Sequence, residues 1–388
     1  MNRLEYLSII VIVIVITLSL VLPLTLDKHT HIGEDKGEDI GDDTPHWVAV
    51  GNGSGDNNNS ILWSTDGKSW SVSTGDVSFS SGAGSGVTYG TIDNANTPHW
   101  VAVGNGSGDN NNILWSADGK SWNVSTGDVS FSSYGTGVAY GTIDNANTPH
   151  WVAVGNDNIL WSTDGKSWNV STGASFSSYG HEVAYGTIDN ANTPHWVAVG
   201  NGSGDNNNIL WSTDGKSWSV STGDVSFSSS VRGVAYGTID NANTPHWVAV
   251  GNGSGDNNNN ILWSADGKSW NVSTGASFDS GHGVAYGTTD NTSTPHWVAV
   301  GYGSGDNNKI LWSSDGKSWN VSTGASFGFS SFGEGATYGT TVDGTPLWVA
   351  VGYDNSGNTI LWSADGKNWN ASTGDVSFSS YGAGVAAS

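Results

Sequence analysis

Cysteine is absent from the 388 residues. That removes disulfides, thiolate metal sites and a cysteine nucleophile together, and leaves the redox compartment unmarked. Basic residues are scarce, 12 Lys and Arg against 35 Asp and Glu, for a formal net charge of −23. A nucleic-acid partner is excluded on that balance, because phosphate binding draws on Lys and Arg. The charge serves solubility and self-repulsion. Arginine stands only at Arg3 and Arg232. With 12% charged residues and Gly 56, the chain borders on low complexity, yet 21 Trp and regular Val-Ala-Val runs supply ample core.

What the chain does have is repetition. Ser64-Thr65-Asp66-Gly67-Lys68-Ser69-Trp70 returns with hardly a change around Asp118, Asp164, Asp214, Asp266, Asp315 and Asp365. Ile-Leu-Trp precedes it and a polar/apolar alternation such as Ser71-Val72-Ser73 follows, so each copy is predicted to be a hairpin turn between two strands. The Asp carboxylate accepts backbone N–H groups of its own turn, Gly supplies a positive φ, and the Trp folds back over the hairpin. The string Ser-x-Asp-Gly-x-x-Trp resembles the Asp-box, or BNR, repeat of sialidases, sortilin-type receptors and photosystem-assembly propellers. That resemblance implies a position between the third and fourth strands of a propeller blade, and it covers residues 46 to 388.

An internal period near fifty residues points to one closed array rather than separate domains. Trp47-Val48-Ala49-Val50-Gly51 and Ile61-Leu62-Trp63 are apolar on both faces, as middle strands between stacked sheets must be. Gly86-Val87-Thr88-Tyr89-Gly90 is small and suits a crowded centre, and the alternating strand after the box suits a rim. Trp-Val-Ala-Val strands start at Trp47, Trp100, Trp151, Trp196, Trp247, Trp297 and Trp348. The first repeat opens on its second strand, and Gly384-Val385-Ala386 forms an inner strand with no blade after it. Pairing the two ends removes the exposed edges of a linear array. The expected fold is all-β: a seven-bladed β-propeller of four-stranded blades over residues 45–388, closed by the C-terminal strand and preceded by one N-terminal hydrophobic α-helix.

That helix is expected within residues 1–26, where Leu7 to Leu26 carries no charge and is long enough to cross a ~30 Å hydrocarbon layer. The run continues through Pro23 into Asp27 and Lys28, which favours a retained anchor over a cleaved signal peptide. Arg3 ahead of it and acidic residues behind it place the head outside the cell. The same segment, Met-Asn-Arg-Leu-Glu5 followed by an Ile/Val run and Pro23, also resembles the N-terminal helix of type IV pilin-like subunits. That resemblance implies packing against identical subunits in a filament, with Glu5 pairing a neighbour's N-terminal amine, and processing would require a basic leader ahead of Met1. Residues 27–44 hold seven acidic residues, two lysines and three glycines, the composition of a solvated linker. His29 and His31 within it are two histidines in a polar tract, not a metal-site pattern.

Against near-identical copies, one position differs in nearly every blade. Two residues before each inner-strand apolar residue stand Ser85, Thr136, His181, Arg232, His282, Glu334 and Ala383, with Glu182 beside His181. These are expected at the mouth of the central channel, and His181, Glu182, Arg232, His282 and Glu334 form the candidate ligand-binding set. Catalytic residues are expected to be none. The sialidase resemblance implies three arginines, a Tyr/Glu pair and an acid Asp, whereas two arginines exist in all. A glycosidase needs two carboxyls about 5 to 9.5 Å apart, and Glu182 and Glu334 lie on blades separated by two others.

Asp/Asn-rich loops around Asp56, Asp109, Asp205, Asp256 and Asp306 offer oxygen donors of the kind Ca²⁺ accepts, without a calcium loop's carboxylate spacing, so no cofactor is expected. His46, His99, His150, His195, His246 and His296 recur in Thr-Pro-His and speak for blade structure. Asn-x-Ser acceptors occur at Asn52, Asn58, Asn105, Asn123, Asn169, Asn201, Asn252, Asn271, Asn291, Asn320 and Asn370, several directly after a box Trp. The functional expectation is a non-enzymatic, cell-surface head on a hydrophobic segment, structural or adhesive, partnered by membrane lipid or identical subunits and by surface glycans. The alternative is a lectin or a carbohydrate-active enzyme working at the channel mouth.

Overall fold

The structure, a computed structural model, describes residues 45–388 except the loop segments 54–59, 75–76, 78, 80–82, 93–96, 107–111, 128, 144–147, 189–192, 203–207, 223–226, 228, 240–243, 254–259, 289–293, 304–308, 328–331, 342, 354–358, 374–377 and 379. The apolar run, Glu5, the acidic tract and the Asp/Asn-rich loops therefore lie outside the described residues, as do Asn58 and Asn291. Among the described residues no helix is long and apolar enough to cross a membrane.

Seven sheets are arranged as seven blades. In the second blade the order from the channel outward is Gly84–Thr91, Pro98–Gly104, Ile113–Ser116 and Asn123–Val124, every pair antiparallel. The first blade takes its outer three strands from Trp47–Gly51, Ile61–Ser64 and Ser71–Val72, and its inner strand from Gly382–Ala387. Trp47 pairs with Ala387 and Val48 with Ala386, so the two ends of the propeller close the ring within one sheet. Ring closure pairs the sheet edges that an open array would expose.

Core packing follows from strands that are apolar on both faces. Trp47, Val48, Ala49 and Val50 are all fully buried. Trp47 and Ala49 pack with Val349 and Val351 of the seventh blade, while Val48 and Val50 pack with Trp100 and Ala102 of the second. The same division recurs at every seam, so the hydrophobic core is seven inter-blade layers rather than one centre. The seam joining the last blade to the first is packed like the rest.

Three sheets carry a fifth strand that the four-stranded expectation did not include. Thr172–Gly173, Thr274–Gly275 and Thr323–Gly324 each leave the rim of one blade and pair in parallel with the outer strand of the next. Elsewhere the link shrinks to single bridges, Thr74 with Ser121 and Thr126 with Ser167. The anchor is shared: each of these threonine N–H groups, and that of Thr222, donates to the carbonyl of the next box lysine at 2.8–3.1 Å. Two-residue pairings carry little periodicity, so the pattern of apolar residues does not announce them.

Candidate functional site

Two kinds of repeated feature compete for attention, the box turns and the ring of inner strands. At the first box, Ser64 Oγ donates to Asp66 Oδ1 (3.0 Å) and accepts the N–H of Gly67 (2.8 Å). Asp66 Oδ1 also accepts the N–H groups of Lys68 (2.8 Å) and Ser69 (2.7 Å). Gly67 has φ +69°, a conformation that costs a side-chain-bearing residue strain. Burial pushes the Asp66 carboxyl up, but the N–H bonds from Ser69 and Lys68 outweigh it and hold the pKa below the ordinary value. The same bonds form around Asp118, Asp164, Asp214, Asp266, Asp315 and Asp365. These carboxylates are committed to their turns and are not free for chemistry.

The recurring histidines are equally committed. His99 stacks on Trp115 at 5.4 Å and meets Trp151 of the next blade edge-on at 5.5 Å. Lys166 from that blade's box places its ammonium 4.1 Å from the Trp115 ring centre, a cation–π contact. Burial, and then the Lys166 charge, push the His99 pKa down to about 4. His150, His195, His246 and His296 repeat the arrangement and the shift to about 4. They are neutral inter-blade spacers. The sixth, His46, is half-buried, and in the last blade Leu347 takes the position, buried.

The inner strands tell a different story. Each has one extra residue against its neighbour, a β-bulge, and the bulged residue is the variable one. Gly84 pairs with Gly104 and Gly86 with Val103, leaving Ser85 unmatched. Thr136, His181, Arg232, His282, Glu334 and Ala383 occupy the same unmatched position in their strands. Bulges re-aim side chains and cluster at binding and active sites. The residues were legible in sequence as the ones that change; the bulge that gathers them was not, because it is a property of pairing.

Going round the ring, blades four to seven carry His181, Arg232, His282 and Glu334, while blades one to three carry Ala383, Ser85 and Thr136. The mouth thus has one arc of ionisable residues and one of small, non-ionisable ones. Within the ionisable arc, His282 Nδ1 lies 3.1 Å from Glu334 Oε2, and the His282 ring tilts against Phe332 at 5.1 Å. His181 Nε2 pairs with Asn201 Oδ1 at 2.9 Å. Burial lowers the His181 pKa, the Asn201 bond raises it, and Arg232 lowers it further. Burial and the Glu334 charge together raise the pKa of Tyr381. On the other arc Thr136 Oγ1 is turned to the carbonyl of Val154 (3.0 Å) and to that of Gly180.

Behind this mouth lies a cavity of about 390 Å³, bounded by all seven inner strands, into which Glu182 and Glu334 face. Its size falls in the range of small-molecule sites. Burial pushes the Glu182 pKa up to about 8, against a 3.2 Å bond from the Val183 N–H. The two carboxyls border one space although their blades are not adjacent. Among the described residues no group of three or more His, Asp or Glu converges as a metal site. The Asn-x-Ser acceptors divide into two classes. Asn123, Asn169, Asn271, Asn320 and Asn370 are exposed on the rim, whereas Asn52, Asn105, Asn201 and Asn252 are half-buried at strand ends near the mouth.

No family model matches the chain, and no curated protein does. Among solved structures, YCF48 from Cyanidioschyzon merolae is similar over 74% of this chain and 84% of its own, at 15% identity and a TM-score of 0.44. A protein of unknown function from Dyadobacter fermentans is similar over 74% of this chain and 92% of its own, at 13% identity and a TM-score of 0.42.

Proposed function

We propose that the protein is a non-enzymatic extracytoplasmic recognition module, a propeller head displayed at the cell surface by its N-terminal apolar segment and binding a small polar ligand, glycans foremost, at the channel mouth. The observation that carries this reading is the bulge ring: in seven near-identical blades, a position that differs in nearly every copy is the one every inner strand bulges to present. A scaffold with no ligand has no use for such a position, whereas a binding site needs unlike groups at fixed places on a rigid frame.

Several features support binding rather than catalysis. The box aspartates are spent on their turns, His282 is paired with Glu334, and two arginines cannot supply the triad that the Asp-box resemblance would ask of a sialidase. The resemblance therefore serves the scaffold. The run from Leu7 to Leu26 supports display on a membrane, and the exposed Asn-x-Ser sites on the rim suit an exterior face that glycans would not obstruct.

The test is a glycan array probed with the full chain and with a His181→Ala, Arg232→Ala, Glu334→Ala triple variant. Binding by the parent that the variant loses, with an unchanged melting curve, is the expected result. No bound glycan, or binding that survives all three substitutions, would overturn the reading.

A further inference from the structure

One position deeper than the bulges, the inner strands carry a second ring. Gly86, Gly137, Gly233, Gly283, Gly335 and Gly384 occupy it in six blades, and Glu182 in the remaining one. The glycines are there for space. A Cβ on Gly86 would lie 2.8 Å from the Thr136 carbonyl oxygen of the next blade, and one on Gly283 would lie 2.5 Å from that of Glu334. Neighbouring inner strands approach closely at this level wherever a glycine stands. Glu182 breaks the packing rule obeyed by every other copy: its Oε1 lies 3.0 Å from where a Cβ on Gly137 of the preceding blade would stand, and the residue lines the lumen.

The lumen offers that carboxyl little in return. Among the described residues its one hydrogen bond is from the N–H of the adjacent Val183 at 3.2 Å. No lysine, arginine or histidine among them lines the cavity, and its other carboxyl, Glu334, turns one oxygen to His282. The lining hydroxyls of Tyr236, Tyr286 and Tyr338 are taken up by Thr187, Thr238 and Thr288 at 2.7–2.8 Å. Arg232, on the next inner strand, makes no ion pair with Glu182. Of the charged and titratable groups around the ring, His181 is turned to Asn201 and His282 to Glu334. A buried carboxyl without a cationic partner is a costly group.

We propose that Glu182 is the specificity-determining group of the channel site and that it selects ligands bearing a protonated primary amine, such as an amino sugar, whose ammonium enters the lumen and pairs with the Glu182 carboxylate. This deepens the recognition reading and rests on it. An ammonium offers three N–H donors, and a carboxylate acceptor makes the bond charge-assisted, about twice as strong as a neutral one. Without a cationic partner, burial holds the Glu182 carboxyl protonated until about pH 8. The arriving ammonium therefore displaces a proton to solvent, which links binding to pH.

The experiment is isothermal titration of the full chain with D-glucosamine and with D-glucose, which differ in having an ammonium or a hydroxyl at one carbon. The expected result is roughly ten-fold or greater preference for glucosamine, the value of a charge-assisted bond of about 1.5 kcal/mol or more. That preference should strengthen from pH 6 to pH 8, and heats measured in buffers of different ionisation enthalpy should report proton release. Glu182→Gln keeps the size and Glu182→Gly restores the residue that six blades already tolerate, so folding is not at stake in the second. Both should bring the two sugars within about two-fold of each other. Equal affinity for the two sugars in the parent, a preference that survives both variants, or no binding of either at millimolar concentration would each overturn the assignment. The array test stands apart: neutral glycans bound and then lost in the triple variant would keep the recognition reading while this one falls.

Discussion

At the box turns the Ser Oγ to Asp Oδ1 distance is 2.9–3.0 Å in all seven blades. At the bulges, on the opposite edge of the same blades, the residues run Ala383, Ser85, Thr136, His181, Arg232, His282, Glu334. Both positions recur once per blade, so the difference is one of physical load. A box Asp takes two backbone N–H groups and a hydroxyl, and losing it leaves donors unpaired. The backbone of a bulged residue has no partner in the pairing register, so replacing its side chain disturbs no ladder. Where the fold asks much of a residue the copies agree, and where it asks little they are free to differ and be put to use.

That contrast can be broken most severely at its frame. Deleting residues 382–388 removes the strand that pairs with Trp47–Gly51 and opens two sheet edges. The full chain so truncated should lose its single cooperative melt or aggregate, as calorimetry and light scattering would show. A monomer that melts like the parent would refute closure as the organising contact.

Acid should come next. The rings of His99, His150, His195, His246 and His296 titrate at about 4 in the folded protein against 6.5 ordinarily. As pH falls the unfolded chain therefore takes up these protons first. Stability present above about pH 6.5 drains away toward pH 4, by up to about 3 kcal/mol for each ring. Urea unfolding across that window should show the loss. His150→Leu, copying what Leu347 does in the seventh blade, should make the decline shallower, and an unchanged slope would exclude the buried ring as its cause.

Smaller again is Asp164→Ala. Removing its three hydrogen bonds should cost roughly 1 to 3 kcal/mol in urea unfolding and leave ligand binding as it was. At the bulges the expected stability effect nearly vanishes. Thr136→Ser or Arg232→Ala should shift stability by about 0.5 kcal/mol or less, and a larger loss would mean that these positions carry structural load after all.

Much of this architecture was legible beforehand because it rests on local chemistry repeated seven times. An Asp-Gly turn between apolar strands needs no partner to be recognised, and two-sided apolar strands such as Trp47-Val48-Ala49-Val50 declare that something packs on either face. The orphan inner strand at Gly384-Val385-Ala386 even indicated which blade it would complete. The parallel links from Thr172–Gly173 and its counterparts were not legible, since two residues pairing with a neighbouring blade leave no periodic trace.

The sequence by itself determined the repeat, the strands, the box turns and the identity of the residues that vary, because each depends on contacts within about fifty residues. Only the tertiary structure decided that the varying residues are bulged and that Glu182 stands where six glycines let the inner strands close on one another. Those facts belong to the ring. They arise from which strand lies beside which after closure, and that adjacency is set by packing between blades.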